Sequence, residues 1–190
     1  FAADEATDLF VHGQNYCIYA YRQGDGAMLI ALEQLYNKYL ESRVPFQNGL
    51  MQPLFFKNTV ELMCRLGRWQ WAEEFTNQYR DRLVHDPQGL SGLYCMAVVR
   101  FYQGDFREVV RQLYNQVSKL DKLEMGTGAR VYLCRALWET QEFEWLAWSL
   151  VAFGQYLRRH EEIEKGLKKR YIRFVGYLQI ACNVMTAPQD

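Results

Sequence analysis

The sequence predicts an all-α protein: a right-handed α-solenoid of antiparallel helical hairpins with a C-terminal capping helix. Three observations predict it. Apolar residues recur at steps of three and four over almost the whole chain, as in Leu90, Leu93, Tyr94, Ala97, Val98 and Phe101, which is the spacing of an amphipathic helix. A short turn, centred on glycine in three of its four copies, recurs at positions 24, 67, 104 and 141, at spacings of 43, 37 and 37 residues. Three prolines, Pro45, Pro53 and Pro87, fall between the hairpins these turns define, away from the helix interiors that proline breaks.

The elements follow in order. Helices are expected over 5–23 and 26–41, around the turn Tyr21-Arg22-Gln23-Gly24-Asp25. A second pair, 54–66 and 69–84, flanks Leu66-Gly67-Arg68-Trp69. The third, 89–103 and 106–119, flanks Phe101-Tyr102-Gln103-Gly104-Asp105, where Asp105 and Glu108 have capping-box spacing. The fourth, 122–140 and 143–158, flanks Thr140-Gln141-Glu142-Phe143. Trp69, Phe106 and Phe143 each open a second helix and can fold back onto the first. A last helix over about 161–185 carries the stripe Ile163, Leu167, Tyr171, Phe174, Val175, Leu178, Cys182 and Met185 and would shield the end of the stack. Strand alternation flanked by hairpin signals is absent, so no sheet is expected. The whole of 1–190 reads as a single helical-repeat domain.

Composition narrows the function. Of 190 residues 49 % are apolar, enough for a core. Lys+Arg and Asp+Glu both total 22, which argues against a general nucleic-acid binder and a polybasic membrane binder. Apolar stretches are interrupted by Ser149, Gln155, Gln179 and Asn183 and are too short for a membrane span, and the first ten residues lack the apolar region of a signal peptide. The five cysteines are scattered without a CxxC pair, which points to buried, reduced thiols and a cytoplasmic setting rather than a disulfide framework or zinc site.

No catalytic constellation stands out. His12, His85 and His160 fall in different hairpins, and the pairs Glu73-Glu74 and Glu161-Glu162 are adjacent helical residues that do not face one another. Gly126-Thr127-Gly128 follows no strand, so it reads as a closely packed helix start rather than a phosphate loop. The chain is therefore expected to be no enzyme and to need neither cofactor nor metal.

The turn pattern resembles the tetratricopeptide repeat. Leu66-Gly67-Arg68-Trp69-Gln70-Trp71-Ala72 carries its small residue at Ala72, and Gly104-Asp105-Phe106-Arg107-Glu108-Val109 has Val109 there. The first and fourth hairpins depart, with Leu29 and Leu146 at that position. Cys17, Ala97 and Cys134 fit the small position of the first helix and Val60 departs. The segment 130–177, with Trp145-Leu146, Tyr156-Leu157-Arg158-Arg159 and Tyr171-Ile172-Arg173-Phe174, also resembles the C-terminal part of uncharacterised tetratricopeptide-like proteins of Bacteroidetes, which would make this the distal part of a longer array.

The resemblance implies a concave groove lined by the first helix of each hairpin. Repeat phase places Gln14, Ile18, Tyr21 and Arg22 there, then Lys57, Glu61, Cys64 and Arg65, then Tyr94, Val98, Phe101 and Tyr102, then Val131, Arg135, Trp138 and Glu139. Arginines and aromatics are the usual anchors of a peptide-binding surface. Spacing alone also allows Ile18, Val98 and Phe101 to be core. Some members of the family clamp a chaperone's C-terminal carboxylate. Lys57 matches one clamp position, but Glu61 stands where asparagine is needed and would repel that ligand. A non-catalytic protein or peptide scaffold is therefore expected. The alternatives are a structural end-piece of a longer repeat protein, which would leave an apolar face on the first helix, and nucleic-acid binding. The last rests on Arg158, Arg159, Lys165, Lys168, Lys169, Arg170 and Arg173, with tyrosines nearby that could stack bases. A solvated helix face explains the same residues with less, and an acidic protein partner comes before nucleic acid as the alternative to it.

Overall fold

A computed structural model describes residues 3–86, 88–123 and 125–187. Among them the chain is mostly helical, and it divides into two compact units, Phe1–Gln103 and Gly104–Asp190.

The first unit contains α1 (Ala3–Arg22), α2 (Met28–Glu41), α3 (Pro53–Arg65), α4 (Trp69–Tyr79) and α5 (Leu90–Tyr102). Helix α1 packs on α2, α2 touches α3, and α3, α4 and α5 pack on one another. Phe10 of α1 stacks on Tyr39 of α2 at 4.1 Å and meets Phe55 of α3 edge-on at 5.6 Å, so one aromatic cluster joins the three helices. Pro53 takes the first position of α3, where its missing N–H costs nothing. Pro45 is buried just before the ribbon described next, and Pro87 lies outside the described residues.

One expectation fails here. Strands β1 (Phe46–Gln47) and β2 (Leu50–Met51) form an antiparallel ribbon. Asn48 and Gly49 join them, both at positive φ (52° and 79°), the φ pattern of a type I′ hairpin turn. The Asn-Gly pair was the signal. Strands of two residues are too short to show alternation. The same ribbon explains why α4 ends at Tyr79 rather than near residue 84. Met51 N–H donates to Arg82 O at 2.8 Å, and Val84 N–H donates back to Met51 O at 3.0 Å, which draws 82–84 into extended pairing.

The second unit contains α6 (Phe106–Leu113), a 3-10 turn (Leu120–Leu123), α7 (Gly126–Glu139), α8 (Phe143–Arg159) and α9 (Lys165–Thr186). Helix α6 packs on α7, α7 on α8, and α8 on α9. Its core holds Leu113, Leu120, Leu137, Leu146, Leu150 and Phe153, all buried. Helix α9 begins at Lys165 because the Glu164 carboxylate accepts the backbone N–H groups of Gly166 and Leu167, both at 2.7 Å. Those two bonds hold the Glu164 carboxyl below its usual range.

The turns share one backbone solution. Gly24, Gly67, Gly104 and Gln141 all have positive φ, at 103°, 75°, 81° and 60°. At three of them the next residue's N–H closes a six-residue loop: Asp25 to Ala20 O, Arg68 to Met63 O and Glu142 to Leu137 O, at 3.2, 2.8 and 2.9 Å. This is the Schellman closure, which satisfies carbonyls at a helix end and favours glycine. At Asp105 the carboxylate accepts the Glu108 N–H at 3.3 Å, the expected cap. The Glu108 carboxylate turns to Arg111 and Gln112 instead.

Candidate functional site

Six of the positions assigned to the groove meet at one cavity in the first unit. Gln14, Ile18, Tyr21 and Arg22 of α1 and Glu61 and Arg65 of α3 line a space of about 240 Å³, closed by Leu29, Leu32 and Tyr36 of α2 and Asn58 and Leu62 of α3. That volume lies below the range of cofactor and drug-sized pockets and suits one or two side chains of a partner.

Glu61 sets the electrostatics. Its side chain is 16 % exposed. The Tyr94 hydroxyl donates to Oε1 at 2.6 Å, and Arg65 sits against Oε2 at 3.5 Å. On the other side of the cavity the Tyr36 hydroxyl donates to Gln14 Oε1 at 2.6 Å. Burial first, and the Glu61 charge second, raise the Tyr36 phenol and push the Cys64 thiol up to about 12. Cys95 is raised by the same two causes, although Lys57 pulls it back. Glu61 thus brings a carboxylate, engaged by Tyr94 and Arg65, to a cavity that Arg22 and Arg65 also line.

The other assigned groove residues divide. Tyr94 is buried and positions Glu61 rather than offering a surface. Val98, Phe101 and Cys64 are core. Lys57 is half-buried one turn before Glu61, outside the cavity lining. Tyr102 is half-buried on α5, with its ring 5.8 Å from Phe101. Arg135 and Glu139 are exposed on α7 in the second unit, and Trp138 meets Phe143 edge-on at 5.5 Å. Sequence reasoning missed Tyr36 and Asn58. Tyr36 belongs to a stripe that reads as core, and Asn58 lies three residues before Glu61, the helical spacing that could have flagged it.

The second unit has a cavity of about 440 Å³ lined in part by Tyr114, Arg130, Cys134 and Trp148. Arg130 is already committed there. It makes two bonds to Asp121 at 2.5 and 3.1 Å, one to Gly126 O at 3.0 Å, and lies 3.8 Å over the Tyr156 ring. Gly126 packs against Asp121, so the GxG segment is a close-packed helix start.

The basic residues separate similarly. Arg158 and Arg159 end α8, while Lys165, Lys169, Arg170 and Arg173 are exposed on α9. Lys168 is half-buried and donates to His160 O at 3.0 Å. His160 is bonded to Glu162, and His85 and His12 are exposed. All five cysteines are free and buried. Among the described residues no group of three His, Cys, Asp or Glu is placed to hold a metal ion, and no helix is long and apolar enough to cross a membrane.

No protein-family model, curated protein or solved structure matches the chain.

Proposed function

We propose that the chain is a non-catalytic scaffold that binds a peptide or protein segment, built as a right-handed, tetratricopeptide-like solenoid of antiparallel helical hairpins and working in the cytoplasm. The observation that carries this is the meeting of Arg22, Glu61 and Arg65 at one cavity together with Tyr21 and Gln14, residues that repeat phase assigns to the groove. The buried free thiols support a reducing compartment. The mixed charge favours a partner side chain that combines a donor for Glu61 with an acceptor for the two arginines, such as an amide or a zwitterionic pair of neighbouring residues.

The test is selection from a random peptide library followed by fluorescence anisotropy. Arg22→Ala plus Arg65→Ala should weaken the selected peptides at least about tenfold, since anchors of this type dominate such interfaces. Peptides whose affinity ignores both substitutions refute the groove.

A second reading, an end-piece of a longer repeat protein, is favoured by the apolar face that α1 leaves exposed at Leu9, Tyr16 and Tyr19.

A further inference from the structure

Helix α9 carries two stripes on opposite faces. Tyr171, Val175, Leu178 and Cys182 recur at steps of four, three and four. Of these, Val175 and Cys182 are buried, and the Cys182 thiol reaches Phe143 O at 3.4 Å. Two residues out of phase, about 200° round the helix, run Arg173, Tyr177, Ile180 and Val184 at the same steps. This second stripe is open: Tyr177 is 71 % exposed, Ile180 64 % and Val184 69 %. The helix is basic over its first turns, at Lys165, Lys169, Arg170 and Arg173, and apolar on this open stripe over its last.

Helix α1 shows the matching pattern with the opposite charge. Phe10 and Cys17 face inward, and Gly13 sits against Leu35. Two residues out of phase, Glu5, Asp8, His12, Tyr16 and Tyr19 form an outer stripe, acidic at its start and aromatic at its end. Tyr16 is 67 % exposed, Tyr19 64 % and the flanking Leu9 59 %. The stripe from Glu5 to Tyr19 and that from Lys169 to Val184 each run about 21–23 Å at 1.5 Å per residue.

We propose that these faces bind each other between copies of this chain: the outer stripe of α9 of one molecule docks in parallel along the outer stripe of α1 of the next. In that register Glu5 and Asp8 meet Lys169 and Arg173, and Tyr16 and Tyr19 meet Tyr177, Ile180 and Val184. One contact then covers both exposed faces and pairs both charge clusters. An antiparallel register would set the acidic turns against the apolar end and leave the basic turns on tyrosines. The contact is heterologous, so every dimer retains one free face of each kind and adds further copies unless the rotation closes a ring. This inference is independent of the groove, which lies on neither stripe.

The test is sedimentation velocity of the whole chain from about 1 to about 200 µM. The expected result is a mass that rises with concentration past the dimer, weakened at least about tenfold in Kd between 50 mM and 0.5 M salt because exposed charge pairs are screened. Two double variants on exposed positions locate it: Ile180→Glu with Val184→Glu on α9, and Tyr16→Glu with Tyr19→Glu on α1. Each alone should be monomeric, with far-UV circular dichroism and thermal unfolding as wild type. Mixed, they retain one intact face of each kind and should form a 1:1 complex and nothing larger. Three results overturn the proposal: a wild type that is monomeric throughout, association that survives either variant, or an equimolar mixture that stays monomeric. The second would indicate α9 pairing with α9 or α1 with α1, and the first would leave the faces to another chain.

Discussion

Replacing Gly126 with alanine puts a methyl group where Asp121 already lies. A Cβ built on Gly126 falls on the Asp121 carboxylate and 2.9 Å from its Cα, closer than real Cβ contacts come. The carboxylate cannot simply swing away, because Arg130 holds both of its oxygens, at 2.5 and 3.1 Å, and is itself fixed over Tyr156. The backbone cannot yield alone, because Leu120, one residue earlier, is fully buried. The substitution therefore either shifts the 3-10 turn or breaks the Asp121–Arg130 pair.

Overpacking of this kind costs about 1–3 kcal/mol. Losing the pair adds about 1–2 kcal/mol, a discounted figure because both side chains keep some contact with solvent. Alanine's helical preference returns about 0.5–1 kcal/mol. With both costs present the net expectation is a loss of about 1–4.5 kcal/mol, or roughly 2–18 °C in Tm for a chain of this length. Urea unfolding followed by circular dichroism measures it. Asp121→Ala supplies the second arm: without the carboxylate, Gly126→Ala should cost less, and the two losses should fall short of additive by about 1 kcal/mol or more. A Gly126→Ala protein within about 0.5 kcal/mol of wild type, or full additivity, would refute the steric argument.

Other outcomes follow from the same geometry. Gln141→Gly should stabilise by about 0.5–1 kcal/mol, because Gln141 alone of the four equivalent turn residues adopts positive φ with a side chain; a destabilised variant in urea melts would count against the shared turn. Glu73→Ala should cost about 1–3 kcal/mol, since Glu73 accepts from Arg100 at 2.7 Å and Gln103 at 2.8 Å and so fastens α4 to α5. Cys64 and Cys134 are both pushed up to about 12, mainly by burial, from an ordinary 9.0. The folded state therefore holds those protons more tightly than the unfolded chain. The contribution of these two thiols to stability should be flat below pH 9 and fall between about 9 and 12, by up to about 1.4 kcal/mol per pH unit for each thiol. Both thiols should resist alkylation at pH 8 until the protein is denatured; rapid native labelling of either, by mass spectrometry, would contradict the burial.

The helices were legible because their signal is redundant. Several apolar steps, a turn and often an aromatic opener mark each one, and Asp105 shows its cap outright. Boundaries were less so: α6 ends at Leu113 rather than 119, and α7 starts at Gly126 rather than 122, after the 3-10 turn Leu120–Leu123. One missed boundary was set by a distant residue. Helix α4 stops at Tyr79 because Met51, some thirty residues earlier, takes up Arg82 and Val84. Faces were harder. Tyr94 and Tyr102 sit eight residues apart on one helix, yet Tyr94 is buried against Glu61 and Tyr102 is only half-buried. Helical spacing says that residues share a face without saying which neighbour covers it. Likewise Tyr36, an ordinary member of an apolar stripe, became a cavity wall only once α1 and α3 were placed beside it.

Helix α9 shows the same difficulty in its strongest form. One apolar stripe and a run of lysines and arginines together satisfy the pattern of an amphipathic surface helix, so the pattern offers no reason to look further. The second stripe hides in the same letters because its members are interleaved with the first, two residues out of phase. The neutral net charge conceals a related segregation: the acidic residues of α1 and the basic residues of α9 enter one sum although they lie on different helices. Solvation alone explains either cluster. It does not explain why each continues, along the same helical line, into exposed aromatic and branched side chains, whose exposure water opposes at about 25 cal/mol per Å². A surface that pairs charge at one end with apolar area at the other is costly to leave bare and specific about its register when covered, and those two properties distinguish a docking face from a solvated one.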